Sequence, residues 1–308
     1  MRNRLLVLLL ISWVTSTHAQ QTNYVKFSEE FPDTLNRKRA WLVAGSQVGT
    51  WVVGVSFLGA VWYKDARRVP FHFFNDRSEY LEMDKFSHAY ACYHIAAKGY
   101  HAYRWAGFSD SKAIWYGGLG AFMLWLPIEV FDGLHDSYGF SKGDALANGA
   151  GSALFMIQQA VLKEQFIKMK FSFYPTNYNQ YTPKYQQLGR ITLYGHLYDY
   201  NAQTFWLSAN LSRIFHKAPS WLNISMGMSA KGMVGAFSNP TVGINGQALP
   251  QFERYRQYLF SIDVDLTKIK TRSRFLKKVF NELNILKIPA PTLEYNQLNG
   301  WKFRPLYW

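Results

Sequence analysis

Hydrophobic and polar residues follow two different periods along this chain, and the change falls near residue 170. Residues 35–165 carry apolar stretches of helical length. Ala40–Tyr63 has no charged residue. It is flanked by Arg37, Lys38 and Arg39 on one side and by Lys64, Arg67 and Arg68 on the other. That is the pattern of a membrane-spanning helix with basic interfacial anchors. Gly45, Gly49 and Gly54 within it predict close packing against a neighbour. Three more helical segments follow. His88–Gly107 is the more polar, with His94, Lys98, His101 and Arg104. Ala113–Leu126 is apolar and runs into Pro127, Glu129 and Asp132, and Asp144–Leu162 begins polar and ends apolar. These three are shorter or more polar than ordinary spans, which fits either half-burial in a bilayer or the core of a helical bundle.

From residue 171 the period becomes two, the period of strands. Ile191, Leu193 and Leu197 alternate with Arg190, Thr192 and His196. The same alternation runs through Phe205–Ser212, Asn223–Lys231 and Phe260–Thr267. Such strands predict an antiparallel sheet with one apolar face and one wet face. Ser238–Pro250 reads as a turn-rich loop, and Arg272–Leu286 as a basic amphipathic helix. Short strands are expected at Thr292–Asn296 and Trp301–Trp308. Six to eight strands in all would suit either a sheet or a small barrel. The fold class expected is therefore α+β: a bundle of about four apolar helices, then an antiparallel β-region.

The first residues change where this fold must work. Arg2 and Arg4, the apolar run Leu5–Val14, and small residues Thr17 and Ala19 make a cleavable signal peptide over residues 1–19. The expected division is then residues 20–170 for the helical, membrane-associated part and 171–308 for the β-part. The net charge is +14. Export turns that charge away from nucleic acid and toward lipid head groups, lipopolysaccharide and acidic protein surfaces. Aromatics reach 18%, which with Lys and Arg suits a membrane–water interface. Cys92 is the only cysteine, so no internal disulfide can form, and it is expected to pack as a small hydrophobe. A terminal Tyr307–Trp308 on an amphipathic last strand adds an outer-membrane signal.

The sharpest chemistry lies at the mouths of the apolar helices. Asp84 and His88 are four apart, with Lys85 between them; Glu129 and Asp132 are three apart; Asp144 and Asn148 are four apart. Each pair shares a helix face, so the three pairs can converge on one polar site. Carboxylates at the margin of a membrane are costly and point to function. Asp84, His88, Glu129 and Asp144 could hold a divalent metal through oxygen and imidazole ligands. His88 could instead act as an acid/base catalyst oriented by a carboxylate. In a third reading the residues form a hydrogen-bonded network that pins the helices, with Lys85 and His88 pairing the acids. Asp144 could also simply cap its helix. There is neither a GxSxG nor an HExxH motif, and no cofactor is required beyond that divalent metal.

The D-K-x-x-H of Asp84–His88, the E-x-x-D of Glu129–Asp132 and the D-x-x-x-N-x-x-G of Asp144–Gly151 resemble the YfiM-like family of predicted periplasmic lipoproteins. More distantly they are similar to VanZ-like helical membrane proteins, which share the D-K-x-x-H start and four apolar helices. The resemblance covers residues 80–165. The strand-rich half, with Asp199–Ser208, looks like the longer form found in Bacteroidetes-type bacteria. It implies a location and a fold rather than a reaction, since the family has no established activity. The chain departs from the short members in lacking a lipobox cysteine. The expectation is an outer-membrane-associated envelope protein, a non-enzymatic accessory subunit of an assembly or transport complex. Its partners would be outer-membrane proteins and membrane lipid or lipopolysaccharide. A membrane enzyme acting on lipid or glycan, and a lipid- or glycan-binding module, are the alternatives.

Overall fold

The computed structural model describes residues 31–181, 199–243 and 245–308. The signal peptide and the strand expected around Ile191–Leu197 lie outside these residues. Among the described residues there are five α-helices, rather than about four: α1 (Arg37–Phe57), α2 (Met83–Trp105), α3 (Asp110–Asp132), α4 (Lys142–Leu162) and α5 (Arg274–Leu283). The first four make the expected bundle and α5 is the basic amphipathic helix. Two short strands, β1 (Phe73–Phe74) and β2 (Phe140–Ser141), pair in parallel beside the bundle.

Asn36 caps α1 by accepting from the Arg39 amide. The helix ends in a π-turn, Leu58–Trp62. Val43 is its one buried residue. A Cβ at Gly45, Gly49 or Gly54 would touch nothing within 4 Å, so among the described residues these glycines do not mediate the expected close packing. Close approach occurs elsewhere. A Cβ on Gly117 would sit 2.5 Å from the Tyr100 amide nitrogen, and one on Gly151 would sit 2.0 Å from the Ala89 carbonyl oxygen. The central helix, α2, thus meets α3 and α4 backbone to backbone.

That central position explains the polarity of α2. Its tyrosines and His94 face other elements rather than lipid or water, while His101 is exposed. His94 donates through Nε2 to the Met169 carbonyl (2.9 Å), and Tyr93 and Tyr90 donate to the Ile167 and Ile285 carbonyls. Three helical stretches, Arg37–Trp62, Asp110–Asp132 and Lys142–Leu162, are long and apolar enough to cross a membrane. Helix α2 is not among them.

Six strands form one antiparallel meander in chain order: β3 (Ile167–Phe173), β4 (Gln203–Asn210), β5 (Leu222–Lys231), β6 (Tyr255–Val264), β7 (Ala290–Asn296) and β8 (Gly300–Tyr307). No barrel closes among the described residues; β3 and β8 are the edges. The sheet curls, so that Tyr307 on β8 reaches Thr204 and Trp206 on β4 across its concave side.

The face expected to be wet is instead the buried one. Lys170, Ser208, Asn223, Asp263, Glu294 and Asn296 are at most 1% exposed. The curl brings them together, and they satisfy one another: Lys170 pairs with Asp263 at 2.7 Å, Ser208 donates to Asp263 at 2.6 Å, and Arg304 pairs with Glu294 at 2.8 Å. The alternate, apolar positions point outward. On that face Met169 packs into the bundle core and Phe171, Phe205 and Met228 are covered by Met83, Phe86 and Tyr90, while Leu207, Met226, Phe260, Leu293 and Phe303 are exposed.

The glycine contacts give a direct test. Gly117→Ala should lower the thermal stability of the detergent-solubilised chain by ~1–3 kcal/mol through overpacking. Gly149→Ala, with open space around it, should leave the melting temperature unchanged or raise it.

Candidate functional site

The start of α2, the end of α3 and the start of α4 lie at one rim of the bundle, and each brings a polar pair there. Ser141 caps α4, its hydroxyl accepting from the Asp144 amide at 2.9 Å. Capping therefore belongs to Ser141, and Asp144, one turn in, has its carboxylate free for the cluster. Asp84 and His88 leave the first turns of α2, and Glu129 leaves the last turn of α3.

The backbone delivering α2 is strained. Tyr80, Leu81 and Glu82 have φ of 40°, 53° and 65°, a left-handed turn without glycine. Contacts from the β-half hold it: the Tyr80 amide donates to Ala236 (2.8 Å), and Arg256 reaches the Leu81 carbonyl and the Glu82 carboxylate (2.7 Å).

Lys85 is the hub of one side. Its ammonium lies 2.7 Å from Asp76, 3.4 Å from Asp144 and 3.6 Å from Asp84. Ser141 also donates to Asp76, at 2.7 Å. A Cβ at position 143 would sit 2.4 Å from Cε of Lys85, so Gly143 makes room for the lysine stem. Burial would raise the Asp76 carboxyl, but the Lys85 ammonium and Ser141 hydroxyl outweigh it and hold the group below its usual range. Asp84, buried and beside Asp144, is pushed up to about 7 despite Lys85. Burial, then Asp76 and Asp144, also raise Glu79.

The other side holds His88, Glu129 and Asp144. One ligand-type atom from each lies within 4.8 Å of the others. His88 Nδ1 is 3.1 Å from Asn148 Oδ1 and 3.5 Å from Glu129 Oε1. Cys92, buried as expected, donates its thiol to the same Asn148 oxygen at 3.4 Å. Glu129 is 1% exposed and Asn148 fully buried. Yet Glu129 Oε1, Asp144 Oδ1, Asp84 Oδ1 and Asn148 Nδ2 have no hydrogen-bond partner among the described residues. Buried polar atoms left this way are costly unless something else meets them.

Asp84, Lys85, His88, Glu129, Asp144 and Asn148 are thus brought together. Asp132 is turned aside, accepting from the Tyr63 hydroxyl at 2.5 Å. The cluster also includes Asp76, Glu79, Tyr63 and Ser141, which sequence reasoning missed. Asp76 and Glu79 sit in an irregular segment with no helical spacing to mark them, and Tyr63 lies outside the polar pairs. The two sides differ chemically: one already has an ammonium, and the other has a neutral-capable imidazole with two carboxylates and unmet oxygens.

A helical bundle with a buried acidic cluster at one rim, joined to a curled antiparallel sheet, defines the class. Residues 72–160 match the model of a family described as a predicted periplasmic lipoprotein (DUF2279), consistent with an exported envelope protein. The matched stretch runs from β1 through most of α4 and contains Asp76, Lys85, His88, Glu129 and Asp144. No curated protein and no solved structure matches the chain.

Lys85→Met should cost ~3–5 kcal/mol, because it strands several buried carboxylates at once. Thermal unfolding in mild detergent would show it. A melting temperature equal to the wild type would mean Lys85 is not the hub of this side.

Proposed function

We propose that this is an outer-membrane-associated envelope protein whose bundle carries a divalent-cation centre at one rim, acting on a lipid or glycan head group. The observation that carries the reading is the His88–Glu129–Asp144 triplet: three ligand-type atoms within 4.8 Å, with fully buried oxygens of Glu129 and Asp144 that accept no hydrogen bond among the described residues. One imidazole and two carboxylates suit Zn²⁺ or Mn²⁺ rather than a soft metal. A bound cation would meet the orphaned oxygens and could polarise a phosphoryl or carbonyl oxygen. His88, beside Glu129, is the group placed to move a proton. The rim position puts the centre near the head-group level if α1, α3 and α4 cross the bilayer. Likeness to the YfiM-like family, in its longer Bacteroidetes-type form, and distantly to VanZ-like proteins supports an envelope role.

A second reading is favoured by Lys85. Its ammonium already joins Asp76, Asp84 and Asp144, as a pin for the helices of a non-enzymatic accessory subunit would.

Metal analysis separates the two. The full chain, purified in mild detergent and stripped with EDTA, should take up about one Zn²⁺ or Mn²⁺. At ~100 times the dissociation constant its stability should rise by ~2.7 kcal/mol. Glu129→Gln and His88→Ala should abolish both effects. No uptake and an unchanged melting temperature would overturn the cation centre. A stable co-purifying envelope protein would then favour the accessory subunit.

A further inference from the structure

The sheet is built inside out, and this is independent of any cation in the bundle. Its concave side holds ion pairs and amides, and its convex side is apolar. The strand register sorts the convex side into rows. One row runs Met169, Leu207, Met226, Phe260, Leu293 and Phe303 across all six strands. The last five of these are 40–64% exposed. The next row, toward the bundle, ends in Tyr258, Tyr295 and Trp301. On the other flank Ile224 pairs with Ile262, and both are exposed. A water-soluble sheet hides such a face. Here only the part against the bundle is covered: Met169 packs into the bundle core, and Phe171, Phe205, Met228 and Ala230 lie under α2 and its flanking segment.

We infer that this convex face is a lipid-contacting surface, packed against the acyl chains of the bilayer that takes the apolar helices. Four observations on the page choose lipid as the occupant. First, the polarity is reversed through the whole sheet, with buried Lys170–Asp263 and Arg304–Glu294 pairs inside. Outward apolar and inward polar alternation is the pattern of β-structure in a membrane. Second, the apolar rows are bounded as a membrane band is. Tyr258, Tyr295 and Trp301 lie along one rim. At the other, the β4–β5 turn exposes Ile214, Phe215 and Trp221 beside Arg213 and Lys217. From Leu222 to Met228 the band is on the order of 20 Å along the strand, enough for at least one leaflet of a ~30 Å hydrocarbon core. Third, α5 leaves the same end as that turn. It exposes Phe275, Leu276 and Leu283 and carries Arg274, Lys277 and Lys278, the make-up of a helix lying at an anionic head-group surface. Fourth, α2 packs on the convex side, so the bundle with its three apolar helices adjoins the same surface.

The test uses the full chain with Cys92→Ala, reconstituted in phosphatidylcholine–phosphatidylglycerol vesicles. A bimane label is placed at Met226→Cys or Phe260→Cys outside, and at Ser225→Cys inside. Vesicles made with acyl-brominated phosphatidylcholine should quench both outer labels and leave the inner label bright. A label at Phe275→Cys should be quenched only when phosphatidylglycerol is present. Outer labels reached by aqueous iodide and indifferent to brominated lipid would overturn the inference. Outer labels reached by neither quencher would also overturn it, since the face would then be covered by protein, a second copy of the chain included. The two outer positions serve as checks on each other where one variant fails to reconstitute.

Discussion

A chain that turns apolar side chains outward must satisfy its polar groups within itself, and both halves of this protein are organised by that requirement. Moving a charge into a low-dielectric interior costs several kcal/mol even after relaxation. The molecule answers with ion pairs that are also hydrogen-bonded. Lys170 meets Asp263 and the Val264 carbonyl, while Asp263 accepts from Ser208. Lys168 meets both oxygens of Asp265 and the Thr267 hydroxyl. Burial and then Lys168 act on Asp265 in opposite directions, and the lysine wins, holding the carboxyl below its usual range. In the bundle, Lys85 plays the same part for Asp76, Asp84 and Asp144. Curling of the sheet and convergence of the helix ends follow from one cause: polar groups need partners, and the partners lie inward.

The two halves meet where this matters most. The left-handed Tyr80–Leu81–Glu82 turn would cost ~1–3 kcal/mol per residue if nothing enforced it. Its backbone is tied to Ala236 and its last two residues to Arg256. Tyr80 also stacks near Tyr200, at 4.9 Å between ring centroids. The turn sets the first residues of α2, and those residues are Asp84, Lys85 and His88. The sheet therefore does more than flank the bundle: it fixes the direction from which one third of the polar cluster enters.

Much of this was legible in the sequence, and the failures have physical causes. Helices showed through period 3.6 and absence of charge, as in Ala40–Tyr63. Strands showed through period two, as in Asn223–Lys231. Both signals report which residues share a face, and neither reports which face is inside. That is why the polar face of the sheet was expected to be wet, whereas Ser225 and Asn223 are buried and Met226 is exposed. Closure into a barrel depends on the edge strands, which alternation does not encode. In the site, pairs at helical spacing were readable because α-geometry is regular. Asp76 was not, because its place beside Lys85 depends on a loop path with no period. The glycines of α1 looked like packing residues on composition alone, but the close approaches fall at Gly117 and Gly151, where the crossing of two axes, not one sequence, decides.

The cluster is hard to explain as a device for stability alone. Asp76, Glu79, Asp84, Glu129 and Asp144 gather around one lysine and one histidine. Buried ion networks are often matched or exceeded in stability by apolar residues of similar volume, and the helices already have Gly117 and Gly151 to bring them together. A pin would need as many cations as acids. Here the acids outnumber the cations, and buried oxygens of Glu129, Asp144 and Asp84 accept no hydrogen bond among the described residues, although Lys85 lies 3.4 Å from Asp144 and His88 3.5 Å from Glu129. Each such oxygen calls for a proton or a cation. Protons can supply part of that need, as the raised Asp84 carboxyl does. Under the cation reading proposed above, the ligand-type atoms of His88, Glu129 and Asp144, which come from three different helices and lie within 4.8 Å of one another, would meet the rest of that need together.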